Sequence, residues 1–280
     1  MPTTTLVSWN LKGSAHPDIA GVVEHLRAEG ADVVGLQEVQ WHQARAIARA
    51  LGARSRRWGF KHWPVRNWPE GMAVIGVTRG VRVRTLALSY RWRPWSWRRR
   101  ILQVAAVTGA DDGDRGNSGR ADVDPTDDGS FTLLNVHLTP RGKNEQRAVE
   151  TSTVLDIVSQ RSGPVVVSGD FNERPGGAVH RQLAAAGLRD GWGEKHGGEP
   201  SPGDAARPPD PWPTNWRGWR RGTPQAPTRQ LDYVYVSPAI ESVEVRAPRP
   251  GDGGFERFAS LSDHLPVTAV FALGPDGANP

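Results

Sequence analysis

Short apolar runs, each the length of a single β-strand and each cut off from the next by polar or Gly/Pro-rich chain, recur from one end of the sequence to the other. That rhythm restricts the chain to a strand-rich fold. The runs are TTLVSWNL (4–11), ADVVGLQEV (31–39), GMAVIGVT (71–78), VRVRTLALSY (81–90), ILQVAAVT (101–108), FTLLNVHL (131–138), PVVVSGDF (164–171), QLDYVYVS (230–237), VEVRA (243–247) and PVTAVFAL (266–273). Helix-like stretches fall between some of them, at about 17–29, 40–51, 143–160 and 177–187. Strands in this excess, with few helices, predict sheets whose faces the helices cover. At 280 residues the chain can bury a sizeable core. It reads as one domain over 1–274 with a flexible tail at 275–280, and no internal repeat is visible in the residues. The acidic, Gly-rich stretch 109–130 predicts a mobile loop, and 193–229, rich in Pro, Gly, Arg and Trp, a long loop on the substrate side.

Several apolar runs carry their polar residues at one end. On strict alternation, Leu6, Ser8 and Asn10 share a face, as do Val34, Leu36 and Glu38, and Phe131, Leu133, Asn135 and His137. Asp170 and Asn172, closing VVVSGDFN, repeat the i, i+2 polar pair if the extended geometry persists. Asp232 precedes YVYV, and Asp263–His264 precede LPVTAVF, so these polar groups stand at strand starts. Where neighbours are antiparallel, one strand's start lies beside the next strand's end, which would gather all of these groups on a single rim. Taken singly, each has an ordinary explanation as a cap, turn former or solvated strand end. Taken together, they are all residue types fit for metal or phosphate chemistry.

Composition narrows that chemistry. With no cysteine, disulfides and thiolate metal sites are excluded, leaving oxygen and imidazole ligands. The start MPTTTLVSWN has neither a basic nor an apolar leader segment, and no run approaches the eighteen or so apolar residues of a membrane span, so a soluble, cytoplasmic chain without a transmembrane segment is expected, as a monomer. A net charge of +5 suits an anionic partner, although only four of the 35 basic residues are lysines and an Arg bias of that kind also reflects genome composition.

The order SWN (8–10), LQEV (36–39), NVHL (135–138), GDFN (169–172), LDYVYV (231–236) and SDHLPV (262–267) resembles the endonuclease/exonuclease/phosphatase superfamily, the DNase-I-like metal-dependent phosphoesterases. The resemblance implies a four-layered α/β sandwich, with two mostly antiparallel β-sheets packed face to face and flanked by helices, and a site at one end. It also implies hydrolysis of a phosphate ester with Mg²⁺ or Mn²⁺. Carried onto this chain, it makes Glu38 a metal ligand, with Asn10 holding its carboxylate and Asp263 completing the site. Asp170 orients or deprotonates the attacking water, or a histidine takes that proton; Asn172 bonds the phosphate; His264, supported by Asp232, meets a non-bridging oxygen; His137 sits near the leaving group. Glu70, in PEGMAVIGV, is a candidate partner for His137, or a solvated loop acid. Asn135, Glu70, Thr214, Asn215 and Arg229 are candidate substrate contacts.

The substrate is read from loops. RWRPWSWRRR (91–100) and NWRGWRR (215–221) alternate arginine with tryptophan, a pattern that stacks bases and meets phosphates, or that anchors loops by their tryptophans. The preferred expectation is a nuclease or phosphodiesterase acting on nucleic acid. The alternatives are a sphingomyelinase-like phospholipid hydrolase, an inositol-phosphate or small phosphomonoester hydrolase, and a non-catalytic nucleic-acid-binding protein.

Overall fold

The computed structural model describes residues 3–62, 69–88, 99–109, 129–140, 142–196, 212–216 and 226–274. Most of the predicted loop 109–130, most of 193–229, the tail 275–280 and the Trp/Arg loops, apart from Arg99, Arg100, Asn215 and Trp216, lie outside those residues.

The strands are β1 (Thr3–Asn10), β2 (Val33–Gln40), β3 (Ser55–His62), β4 (Glu70–Gly76), β5 (Val81–Ala87), β6 (Ile101–Val107), β7 (Phe131–His137), β8 (Val165–Asp170), β9 (Arg189–Asp190), β10 (Asp232–Val236), β11 (Ile240–Arg246) and β12 (Val267–Leu273). The helices are α1 (Ile19–Ala28), α2 (Trp41–Ala50), α3 (Asn144–Val158), α4 (Ala178–Ala185) and the short α5 (Gly191–His196) and α6 (Phe258–Leu261). The strands form two six-stranded sheets, ordered β11-β12-β1-β2-β4-β3 and β5-β6-β7-β8-β10-β9. Each sheet has one parallel pair, β1 with β2 and β7 with β8, and is otherwise antiparallel. The parallel pairs are joined through α1 and α3, because parallel neighbours need a crossover.

Alternation along the central strands builds the layers. Leu6, Val33 and Val74 of the first sheet pack with Leu102, Phe131 and Leu133 of the second, and Phe131 meets Phe271 edge-on at 5.2 Å. Val7, Trp9, Val34 and Leu36 point the other way, onto Val22 and Leu26 of α1, Ile47 of α2 and Phe258 of α6. Val154 of α3 with Val179 and Leu183 of α4 join the second sheet's core. The result is an α/β sandwich with flanking helices. Each such fully buried aliphatic or aromatic side chain contributes roughly 1.5–3 kcal/mol.

β3 was not anticipated from its residues. Its sequence SRRWGFKH is mostly polar, and it is an edge strand whose aromatic anchors, Trp58 and Phe60, are only half-buried. No described helix is long and apolar enough to cross a membrane.

Candidate active site

The second sheet delivers its polar groups in a row. In the parallel register His137 lies opposite Asp170, and in the antiparallel register Asp170 lies opposite Asp232, so three side chains stand abreast at the ends of β7 and β8 and the start of β10. His137 Nε2 is 3.6 Å from Asp170 Oδ2. Asp232 is fixed by Thr214, whose hydroxyl donates to Oδ2 at 2.5 Å and accepts from the backbone N–H groups of Leu231 and Asp232, each at 3.2 Å. The same Oδ2 lies 2.8 Å from His264 Nδ1, and the opposite ring nitrogen of His264 reaches within 3.7 Å of Asp170 Oδ2.

Gly169 makes this row possible. Its φ is +140°, and a Cβ there would lie 2.0 Å from the carbonyl oxygen of Val136 on the neighbouring parallel strand. Past Asp170 the extended geometry ends, because Asn172 is left-handed at φ +51°. The i, i+2 shared face predicted for Asp170 and Asn172 is thus replaced by a turn, closed by the Asn172 N–H on Asp170 Oδ1 at 2.8 Å. Asn172 still lines the cleft, with its amide donating to the Leu138 carbonyl at 3.0 Å.

On the first sheet, strict alternation would have sent Glu38 to the helix-covered face with Val34 and Leu36. A bulge between Leu36 and Val39, with Glu38 itself at φ +49°, turns the carboxylate into the cleft instead. Asn10 does not hold Glu38 as expected; its amide donates to Asp170 Oδ2 at 3.0 Å, tying the two sheets together. Asp263 faces the same space and pairs with Lys12 at 2.6 Å. The SDH turn is secured to β1 by Ser262, whose hydroxyl donates to the Asn10 carbonyl at 2.6 Å.

A cluster that the motifs did not reveal completes the floor. Lys61, 2% exposed, stands at the end of β3, where its ammonium lies 3.3 Å from Glu70 Oε1, 3.4 Å from His137 Nδ1 and 3.9 Å from Glu38 Oε1. Glu70 is neither solvated nor in contact with His137; it is buried at the start of β4 and pairs with Lys61 and, at 3.3 Å, with His62. Arg100 lines the same cleft. The available signal was compositional, since Lys12 and Lys61 are two of only four lysines in an arginine-rich chain.

Of the five candidate substrate contacts, three reach the cleft, Glu70 among them. Asn215 and Arg229 line it, bridged to each other in a short antiparallel pairing that also holds His264. Thr214 is fully buried behind Asp232. Asn135 is also fully buried, in the interior between the sheets: it accepts from Gln37 at 2.7 Å and donates toward the carbonyls of Leu36 and Ala73 and the side chain of Gln103. Trp216 packs into the core beside Phe255, so this tryptophan anchors its loop.

The cleft encloses about 420 Å³. Burial pushes the Asp170 carboxyl up, against the pull of His264, to about 7. Burial alone would lower His264, but Asp232 and Asp170 outweigh it and hold the imidazolium up to about 10. Burial, with the neighbouring Lys61 and Arg100, drives His137 well below the usual histidine value. Glu38 is raised by burial and by the nearby Glu70 carboxylate. Glu70 is held down to about 2 because His62 and Lys61 overcome its burial. Asp170, Asp232 and His264 bring ligand atoms within 4.8 Å of one another. Held as an imidazolium, His264 would have no lone pair to give a metal; Glu38, Asp263 and Asn10 are oxygen donors that also line the cleft.

The model of the Endonuclease/Exonuclease/phosphatase family matches residues 7–264. The chain belongs to that family. Members are hydrolases of phosphate esters and are generally dependent on divalent metal. In fold, this family member is similar to an endonuclease/exonuclease/phosphatase from Beutenbergia cavernae, with a TM-score of 0.68 and 23% identity over 98% of this chain and 72% of that one. It is also similar to the human Nocturnin catalytic domain, with a TM-score of 0.67 and 19% identity over 98% and 95% of the two chains. A truncated Caenorhabditis elegans TDP2 aligns with a TM-score of 0.61 and 18% identity over 96% and 97%. No curated protein is similar enough in sequence to count as a match.

Proposed function

We propose that this cleft hydrolyses phosphodiester bonds of nucleic acid with the help of a divalent cation, Mg²⁺ or Mn²⁺. The observation that carries the reading is the convergence of an imidazolium, His264, and a carboxylate of raised pKa, Asp170, 3.7 Å apart at the floor of an open cleft. A cationic hydrogen-bond donor for the phosphate anion and a proton acceptor for the water, held side by side, are what attack of water on a phosphate requires.

Asp170 takes or orients the water's proton, because its carboxylate is buried and near neutrality in pKa. His264, charged and fixed by Asp232, donates to a non-bridging phosphoryl oxygen. Asn172, Asn215 and Arg229, around the same opening, offer amide and guanidinium donors to the phosphate. Glu38 and Asp263, with Asn10 alongside, would hold the cation, and the fit rests on the donor set, hard oxygens that line one cleft. When bound, the cation supplies Lewis-acid polarisation of the phosphoryl group. Arg100, at the inner end of the Trp/Arg stretch, brings positive charge to the cleft, and its neighbour Arg99 lies over the Phe60 ring at 5.8 Å.

The test is a substrate panel of single- and double-stranded DNA, RNA, bis-p-nitrophenyl phosphate, inositol phosphates and sphingomyelin, with Mg²⁺, with Mn²⁺ and with EDTA. Metal-dependent cleavage of nucleic acid, reduced about 10²–10⁴-fold in Asp170→Ala and His264→Ala, is expected. Turnover confined to lipid or to phosphomonoesters would replace the substrate assignment, and nucleic-acid binding that survives EDTA with no turnover would replace the enzyme assignment.

A further inference from the structure

Resting on the nucleic-acid reading above, we infer that a second, smaller pocket beside the cleft, walled by Arg147, Arg174 and Arg229, takes the phosphate next to the one being hydrolysed. The pocket encloses about 280 Å³ and shares Asn172, Arg229 and Leu231 with the cleft, so the two lie side by side. Asn172 and Arg229 are the donors already offered to the scissile phosphate. A nucleotide chain held there carries its next phosphate toward the pocket, one backbone repeat away.

The walls select an anion. Three guanidinium groups stand against one carboxylate, Glu173. That carboxylate is already engaged at both oxygens, Oε1 accepting from Arg147 at 3.2 Å and Oε2 from the Val179 N–H at 2.6 Å in the first turn of α4. Arg147 is 3% exposed, yet its buried Nε–H has no hydrogen-bond partner among the described residues. A buried donor left unmet is costly, and an anion in the pocket is the partner its chemistry asks for. Among the described residues, no aromatic wall offers a base a surface to stack on. The volume also lies at the small end for ligand sites, so the pocket suits a phosphate and not a whole nucleotide.

Between Glu173 and α4 the wall is low. Pro175, Gly176 and Gly177 line the pocket there, and Gly176 is left-handed at φ +73°, a conformation that favours glycine. A Cβ on Gly177 would lie 2.2 Å from Glu173 Cδ. A side chain at that position would push Glu173 away from Arg147 and from α4. The glycine therefore keeps the pocket's acid paired, and the pair of glycines lets a ligand approach the backbone closely.

The experiment compares nucleotides that differ by one phosphate. In EDTA, calorimetry measures binding of thymidine 3′,5′-bisphosphate and of the two thymidine monophosphates to the full chain, in wild type and in Arg174→Gln. The bisphosphate should bind wild type about tenfold to a hundredfold more tightly than the better monophosphate, and Arg174→Gln should remove most of that gain. In ¹⁵N NMR the Gly176 and Gly177 amides should move with the bisphosphate and not with the monophosphates. A bisphosphate that binds no more tightly than a monophosphate overturns the inference, as does a gain that persists in folded Arg174→Gln, or one that leaves both glycine amides unmoved. Should Arg174→Gln fail to fold, the wild-type affinities and amide shifts decide. A chain end and a chain interior present the same phosphate oxygens, and turnover with Mg²⁺ separates them: a thymidine dinucleotide with a terminal phosphate and a trinucleotide without one are each compared with the bare dinucleotide. Faster cleavage identifies which phosphate the pocket takes, and a bare dinucleotide cleaved as fast as both overturns the inference. Binding in EDTA needs no turnover, so its failure removes the pocket while hydrolysis stands, and an inactive wild type removes the hydrolytic reading while the pocket stands.

Discussion

His264 and Asp232 share a hydrogen bond of 2.8 Å, from a turn just before the last strand of one sheet to the first residue of a strand in the other. Against burial, this contact together with Asp170 raises the imidazole to about 10, and the expected pH behaviour follows from that shift.

The rate should be bell-shaped in pH. Asp170 acts as a carboxylate, so kcat/KM rises with pH along a limb that lies no higher than about 7. His264 acts as an imidazolium, so the rate falls on an alkaline limb near 10. Replacing Asp232 by Asn removes the charge that raises His264, and the alkaline limb should move down toward the ordinary histidine value of 6.5. Steady-state rates across this range, for wild type and Asp232→Asn, check both limbs.

Stability should carry the same signature. The folded-state pKa of His264 is raised, so its stabilising contribution is complete below 6.5 and is lost as pH rises through about 10. In EDTA, Tm measured by calorimetry should fall more steeply over that window in wild type than in His264→Gln. Equal slopes would show that the pair contributes nothing to folding.

Asn135→Ala should destabilise the protein by about 1–3 kcal/mol, because it leaves the buried Gln37 and Gln103 without their shared partner between the sheets. Urea unfolding, read by the change in midpoint at unchanged slope, measures the loss. A substrate-contact role would instead appear as a raised KM with normal stability.

Gly169→Ala should cost more than its single methyl suggests. The left-handed half of the backbone map disfavours a side chain there, and the Cβ would press on Val136 at 2.0 Å, so β7 and β8 must part. A loss of at least about 1–3 kcal/mol is expected, with activity falling further than stability because His137 and Asp170 are the residues beside the strained pair.

The strands and the principal helices were legible because their apolar runs are long and evenly punctuated. The runs around β1, β2, β7, β8, β10 and β12 lie close to the observed strands. β3 was hidden because an edge strand needs few buried side chains, and with it went Lys61 and His62. The rim itself was legible from motif order, but the aim of individual side chains was not. Glu38 and Asn172 both depend on positive φ angles that alternation cannot foresee. Asn135 and His137 share a strand face, yet one lies inside the sandwich and the other at its mouth, a difference of depth that no one-dimensional pattern records. Thr214 was noticed for its place before the LDY strand, but its bond to Asp232 required the fold.

Both sheets follow one wiring diagram: two antiparallel strands, a parallel pair spanned by a helix, then two more antiparallel strands. Sheet one sends Asn10, Glu38 and Glu70 to the mouth from the same stations at which sheet two sends His137, Asp170 and Asp232. On the proposed reading, Asn10 and Glu38, offered to the cation, and Asp170, offered to the water, therefore ride on separate slabs. Their alignment is set by a few pins driven across the gap, Asn135 in the interior and Asn10 at the mouth, so a slip of one slab over the other would detune the pair without disturbing either half.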